Sequence, residues 1–187
     1  YEARVGAGSY YPFASPLLEP EKTTQYEIGV THQLSDNVAF EIAAYYKDVQ
    51  DLTQIQHISD AQPTAYDVFG NLDYGTIKGV DFSLQMRRTK NLRLDLRYTL
   101  AYASGTGSYG WTRYHIAWQN PSGNPKTTSP LDYDQRHSFS AVVDVRTAKG
   151  EGPQFGTIFP LENTSLNFIL SAGSGTPYTS MYVYDEA

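Results

Sequence analysis

The side chains best suited to gripping a ligand crowd into one stretch: Tyr109, Trp111, Arg113, Tyr114, His115 and Trp118. Indole and phenol rings offer flat apolar faces, and the guanidinium and imidazole add charge and hydrogen bonds. Trp, Tyr and Arg are the residue types that dominate binding hot spots. The same residues also suit an aromatic girdle at a membrane boundary, or the packing of a long loop, and that reading carries more weight. Just upstream, Gly105-Thr106-Gly107-Ser108-Tyr109-Gly110 spells G-x-G-x-x-G after a strand. A dinucleotide site needs a helix next, with its N-terminus at the pyrophosphate. Trp111 to His115 offers no amphipathic helical continuation and no βαβ unit surrounds it, so a loop is expected.

Other chemistry is sparse. His32, His57, His115 and His137 share no metal-ligand spacing with one another or with carboxylates. Ser, His and Asp all occur, but without a nucleophile elbow of the G-x-S-x-G kind. Glu27 and Glu41 fit a solvated strand face better than acid–base catalysis, and the sequon Asn163-Thr164-Ser165 has meaning only in a eukaryotic secretory setting. The absence of cysteine removes disulfide and thiol chemistry. A formal charge of −6 argues against a nucleic-acid partner, which would require clustered Lys and Arg. No catalytic residue, metal or cofactor is implied, and the chain reads as a binding or transport protein rather than an enzyme.

The elements that would position these residues are strands. From Val38, the side chains Val38, Phe40, Ile42, Ala44 and Tyr46 alternate with Ala39, Glu41, Ala43, Tyr45 and Lys47. Successive side chains on a strand point to opposite faces, so one face is apolar and the other partly charged. The same two-faced pattern predicts strands over about 23–34, 38–49, 79–88, 92–102, 135–146 and 166–172. Their polar faces carry Glu27, Glu41, Lys47, Asp81, Arg87, Arg93, Asp95, Arg97, Arg136, Asp144 and Arg146. Residues 35–37 and 89–91 are tight turns, and 148–163 is a longer gap on the same side. Residues 50–73 and 105–134 are expected to be long connections on the other side.

Long strands with an apolar stripe, short turns at one end and long loops at the other describe a transmembrane β-barrel. The apolar face would meet lipid and these charges would face a wet lumen. The sixteen tyrosines fit, since Tyr suits an apolar–water boundary. No run approaches the roughly 18 apolar residues of a membrane-crossing helix. The expected fold is therefore all-β: an antiparallel transmembrane barrel segment of about six long meander strands, with 1–187 belonging to one barrel domain.

Four segments resemble the plug-type TonB-dependent outer-membrane receptors. Leu18-Glu19-Pro20-Glu21-Lys22-Thr23 followed by Tyr26-Glu27-Ile28-Gly29-Val30 is similar to that family's L-x-P-E-x-T…Y-E-x-G entry into a barrel strand. Ile77-Lys78-Gly79-Val80-Asp81 resembles its G-[VI]-[DE] strand, and Asp134-Gln135-Arg136-His137 its D-Q-R-H entry to later strands. Ser174-Gly175-Thr176-Pro177-Tyr178-Thr179 resembles the S-G-x-P-[YF]-T element that follows them. The resemblance implies a barrel of about 22 strands closed by a plug, importing a scarce nutrient with energy relayed from the inner membrane. Its partners would be outer-membrane lipid, the plug and remaining strands, the inner-membrane TonB complex and a nutrient. The location would be the outer membrane of a Gram-negative bacterium. The stretch would fall in the later half of the barrel, without TonB box, plug or terminal aromatic strand. No ligand-binding residues carry over, because the family reads ligands with variable loops. A passive porin, an adhesin barrel and a soluble β-sandwich remain as alternatives.

Overall fold

The computed structural model describes residues 12–58, 60–111 and 127–178. They form one antiparallel sheet and no helix. Its strands are β1 (Lys22–Ser35), β2 (Val38–Ile58), β3 (Tyr66–Thr89), β4 (Leu92–Gly105), the two-residue β5 (Ser129–Pro130), β6 (His137–Arg146) and β7 (Ser165–Gly173). The spatial order β1-β2-β3-β4-β6-β7 follows the chain, with β5 paired to the end of β4. This is a meander, as expected, and it does not close on itself among the described residues.

The turns follow from their residues. Asp36-Asn37 joins β1 to β2, with the Asn37 amide donating to Ser35 Oγ at 3.4 Å. Lys90-Asn91 joins β3 to β4, and Lys90 takes the left-handed conformation at φ 53°. Glu151 organises the longer connection after β6, its Oε2 accepting from Asn91 Nδ2 at 3.0 Å and from the Ala148 amide at 3.1 Å.

One expectation fails. Residues 50–73 are not a long connection: β2 runs on to Ile58 and β3 already begins at Tyr66. The two strands have 21 and 24 residues, about twice the 9–11 that a tilted membrane crossing takes. Beyond Lys47 the side chains Asp48, Gln50, Asp51, Thr53, Gln54 and Gln56 are polar on both faces. Strand hydrogen bonding continues there while the apolar alternation stops.

The register keeps the two faces separate. Leu92, Leu94, Leu96, Tyr98 and Leu100 lie opposite Val145, Val143, Ala141, Phe139 and His137, and the row continues through Leu166, Phe168, Leu170 and Ala172. The other face sets Arg93 opposite Asp144, Asp95 opposite Val142 and Arg97 opposite Ser140.

Contacts divide the chain into two compact units. One gathers the described parts of 1–24, 47–76 and 103–132, with Ile55, Ala103, Leu131, Gln54 and Asp73 buried. The other gathers those of 25–46, 77–102 and 133–187, where Ala43, Ala141, Asp134 and Asp144 are buried. In the second unit the apolar row stays open even on interior strands, with Ile42 43 % and Val80 39 % exposed. A sandwich would cover that face with a second sheet.

Candidate functional site

The four family-like segments prove to be joints. Asn71 clamps the first: its Nδ2 donates to the Glu19 carbonyl at 2.8 Å and the Asp51 carbonyl at 2.6 Å, while the Glu19 amide donates to Asn71 Oδ1 at 2.8 Å. Glu21 accepts from the Thr53 amide at 3.0 Å, and Lys22 Nζ reaches Asp51 at 2.9 Å and Glu19 at 3.2 Å. The hydrogen bond to Asp51 and, after it, the one to Glu19 raise the Lys22 pKa above its ordinary 10.5.

The second joint is Gly79. A Cβ there would stand 2.6 Å from the Leu100 carbonyl oxygen and 2.7 Å from Tyr45 Cζ, so only glycine lets the Tyr45 ring lie across β3. Two residues on, Asp81 accepts from Thr99 Oγ1 at 2.6 Å. The third and fourth segments meet each other. Gln135 Nε2 donates to the Ser174 carbonyl at 3.0 Å, the His137 amide to Ser174 Oγ at 3.1 Å, and the Ser174 amide back to the His137 carbonyl at 2.9 Å.

The glycine-rich segment is a docking loop, with no nucleotide geometry. Gln54 Nε2 donates to the Tyr109 carbonyl at 2.8 Å and the Ile55 amide to the Gly110 carbonyl at 3.2 Å. Thr106 pairs with Tyr74 through its amide at 3.0 Å and its Oγ1 at 3.1 Å. Gly107 packs directly on Gln54 and Asp73, both almost fully buried, and a Cβ would stand 2.6 Å from Gln54 Nε2. Beside it Asp48, Gln50, Asp51, Asn71, Leu72, Asp73 and Tyr74 line an open groove of about 380 Å³. Of the aromatic ligand candidates, Tyr109 is exposed and Trp111 half-buried at the end of this loop. Arg113, Tyr114, His115 and Trp118 lie outside the described residues. A pair absent from the sequence reading is His57 Nδ1 with Asp67 Oδ1, 2.8 Å apart. The two residues meet because β2 and β3 continue past the end of the apolar alternation.

The polar face of the second unit brings many of the expected charges together. Asp95 lies 3.7 Å from Arg93 and 3.6 Å from Arg97, and Asp144 lies 3.1 Å from Arg146 and is bonded by Arg88. Arg136 sits 3.4 Å from buried Asp134, its guanidinium 4.9 Å over the Tyr102 ring. Glu27 accepts from Gln25 at 2.9 Å; Glu41 and Lys47 stand on β2. Arg88 needs a correction to the alternation. Thr99 and Arg93 share a face of β4, so Asp81, bonded to Thr99, and Arg88, bonded to Asp144 opposite Arg93, share it too. Seven residues separate Asp81 from Arg88, an odd interval that regular alternation forbids. The strand therefore departs from regular alternation somewhere between these two residues, and Arg87 and Arg88 both line a groove beside Arg93 and Asp95.

On the opposite face, rings form a row across β1, β2 and β3: His32 lies 5.6 Å from Phe40, and Phe40 stacks 6.5 Å from Phe82. Tyr98 Oη and His137 Nδ1 are 2.8 Å apart across β4 and β6. These pairings give the two histidines polar or aromatic neighbours on an otherwise apolar surface. No group of three or more His, Asp or Glu able to hold a metal ion occurs among the described residues.

A meander of long strands with one open apolar face and one ion-paired face is the wall of a β-barrel membrane protein. The family model for TonB dependent receptor-like β-barrels matches residues 1–186. The chain belongs to that family, whose members are outer-membrane transport receptors of Gram-negative bacteria rather than enzymes. Neither a search of curated proteins nor one of solved structures found a match.

Proposed function

We propose that the chain forms part of the wall and outward loops of one receptor barrel that imports a scarce nutrient with energy relayed through TonB. The family match along 1–186 is the observation that carries this reading. The open apolar row supports a lipid-facing surface, and the ion-paired row a water-filled lumen. On that reading Glu27, Glu41, Lys47, Asp81, Arg87, Arg93, Asp95, Arg97, Arg136, Asp144 and Arg146 face the lumen, joined by Arg88.

The tight turns Asp36-Asn37 and Lys90-Asn91 then lie at the periplasmic end, and the surplus of β2 and β3 with the loop 106–111 projects outward. The plug and the inner-membrane TonB complex are the partners, and the nutrient is a siderophore, cobalamin, glycan or peptide. Tyr109 and Trp111 form the loop surface that first meets it, and Arg113, Tyr114, His115 and Trp118 are further candidate contacts. Uptake by a deletion strain complemented with the full-length receptor tests the proposal. Uptake should need both the receptor and TonB. Transport that persists without TonB would instead support a passive porin.

A further inference from the structure

We propose that the long connection after β6 is a membrane foot, whose tip from Phe155 to Leu161 lies in the phospholipid leaflet beside the tight-turn end of the wall. The inference rests on the lipid-facing reading of the apolar row above. At the same end Asp36-Asn37 and Lys90-Asn91 turn the chain with two residues each, so a long connection is not needed to reverse a strand there. Ten successive residues of it, Gly152 to Leu161, carry no ionisable side chain. Phe155, Ile158 and Leu161 are 71 %, 68 % and 48 % exposed. Contiguous exposed apolar side chains of this kind mark a contact surface.

The tip is a built turn. The Phe155 amide donates to the Ile158 carbonyl at 3.0 Å and the Ile158 amide to the Phe155 carbonyl at 3.2 Å, with Gly156 at φ 65° between them. A pair that exchanges both bonds sends its side chains to one side, so Phe155 and Ile158 are presented together. The acids of the connection are held within it. Glu151 accepts from Asn91 and the Ala148 amide, and Glu162 accepts from the Gly150 amide at 2.9 Å.

The two limbs of the connection lie toward opposite faces of the sheet. Asn91 pairs with Arg146 two residues before Arg93, on the polar face, and its side chain holds Glu151 in the outgoing limb. Thr147 stands two residues beyond Val145, and its amide still donates to the Thr164 carbonyl at 2.9 Å, so the alternation carries it to the apolar face. Its hydroxyl donates to the Leu161 carbonyl in the returning limb. That limb, with Ile158 and Leu161, follows the face on which Leu92, Val145 and Leu166 end the apolar row. A plug would fill the lumen, on the other face. Continuity with the apolar row selects lipid as the occupant, and the boundary region of a bilayer takes up aromatic and aliphatic side chains at this depth.

The test is spin labelling of the full-length receptor in phosphatidylethanolamine–phosphatidylglycerol bilayers. Single nitroxides are attached to Phe155→Cys and Ile158→Cys, with Leu96→Cys and Arg97→Cys as lipid and water references. Power saturation compares relaxation by oxygen, which concentrates in lipid, with relaxation by a water-soluble nickel chelate. Positions 155 and 158 should respond mainly to oxygen, as position 96 does. A response mainly to nickel at either position, with the references distinct, overturns the foot and leaves the wall intact. Weak responses to both reagents overturn it in favour of a protein occupant, the plug or a second copy. If the two references do not differ, the lipid-facing reading falls and the foot with it.

Discussion

Leu96 and Arg97 are adjacent on β4 and point to opposite faces, so exchanging their chemistry one at a time tests the wall directly. Leu96 lies opposite Ala141, which lies opposite Leu170, in the middle of the apolar row that runs from Leu92 to Leu100. Arginine at the bilayer midplane of a barrel costs about 2–4 kcal/mol, falling toward zero near the interfaces. The central position of Leu96 places Leu96→Arg in the upper part of that range. Arg97 is 68 % exposed and lies 3.6 Å from Asp95. An exposed pair of that kind contributes about 0–1 kcal/mol, so Arg97→Leu should change stability by no more than that. The assay is equilibrium unfolding of the full-length receptor in lipid, with each variant measured under the same conditions. Equal costs at the two positions, or a larger cost for Arg97→Leu, would refute the assignment of faces.

Three further outcomes follow from packing and charge. Gly79→Ala should destabilise by about 1–3 kcal/mol through overpacking. Tyr45→Phe should not rescue it, because the clash with the Leu100 carbonyl and with the ring itself remains; full rescue in a double-mutant cycle would contradict that geometry. Gly107→Ala should release the 106–111 loop from Gln54 and Asp73, seen as faster external proteolysis in that loop at unchanged unfolding stability of the barrel. The Lys22 pKa is raised in the folded chain, so its stabilising effect is complete below about 10.5 and is lost as pH climbs through the higher folded value. Lys22→Gln should therefore flatten the alkaline end of the stability profile relative to wild type, and identical profiles would count against the Lys22–Asp51 contact.

How much was legible depended on where one face of the sheet is apolar. Between Leu92 and Leu100 one face must be apolar, so the alternation, the tight turn before it and the pairing with His137–Arg146 could all be read from residue types. Past Lys47 that constraint disappears: Gln50, Asp51, Thr53 and Gln54 continue β2 with polar side chains on both faces, and the strand left no periodic trace. Gly107 looked like part of a nucleotide motif because spacing alone cannot show that its missing side chain makes room for Gln54 and Asp73. Arg88 was missed for a related reason. Between Asp81 and Arg88 the strand departs from the parity on which face assignments rest, and no residue type marks the place. The family-like segments were visible as words, but their purpose as joints, such as Asn71 holding Glu19 or Gln135 holding Ser174, required contacts between distant positions.

The central claim is that β4 is a membrane-crossing strand with lipid on one side and water on the other. This chain contributes no cysteine, so single thiols placed at each position from Leu92 to Leu100 in the full-length receptor can be labelled in intact outer membranes. A charged, water-soluble maleimide should modify positions 93, 95, 97 and 99 and leave 92, 94, 96, 98 and 100 unreacted. Uniform labelling along the strand, or labelling confined to its two ends on both faces, would contradict the account.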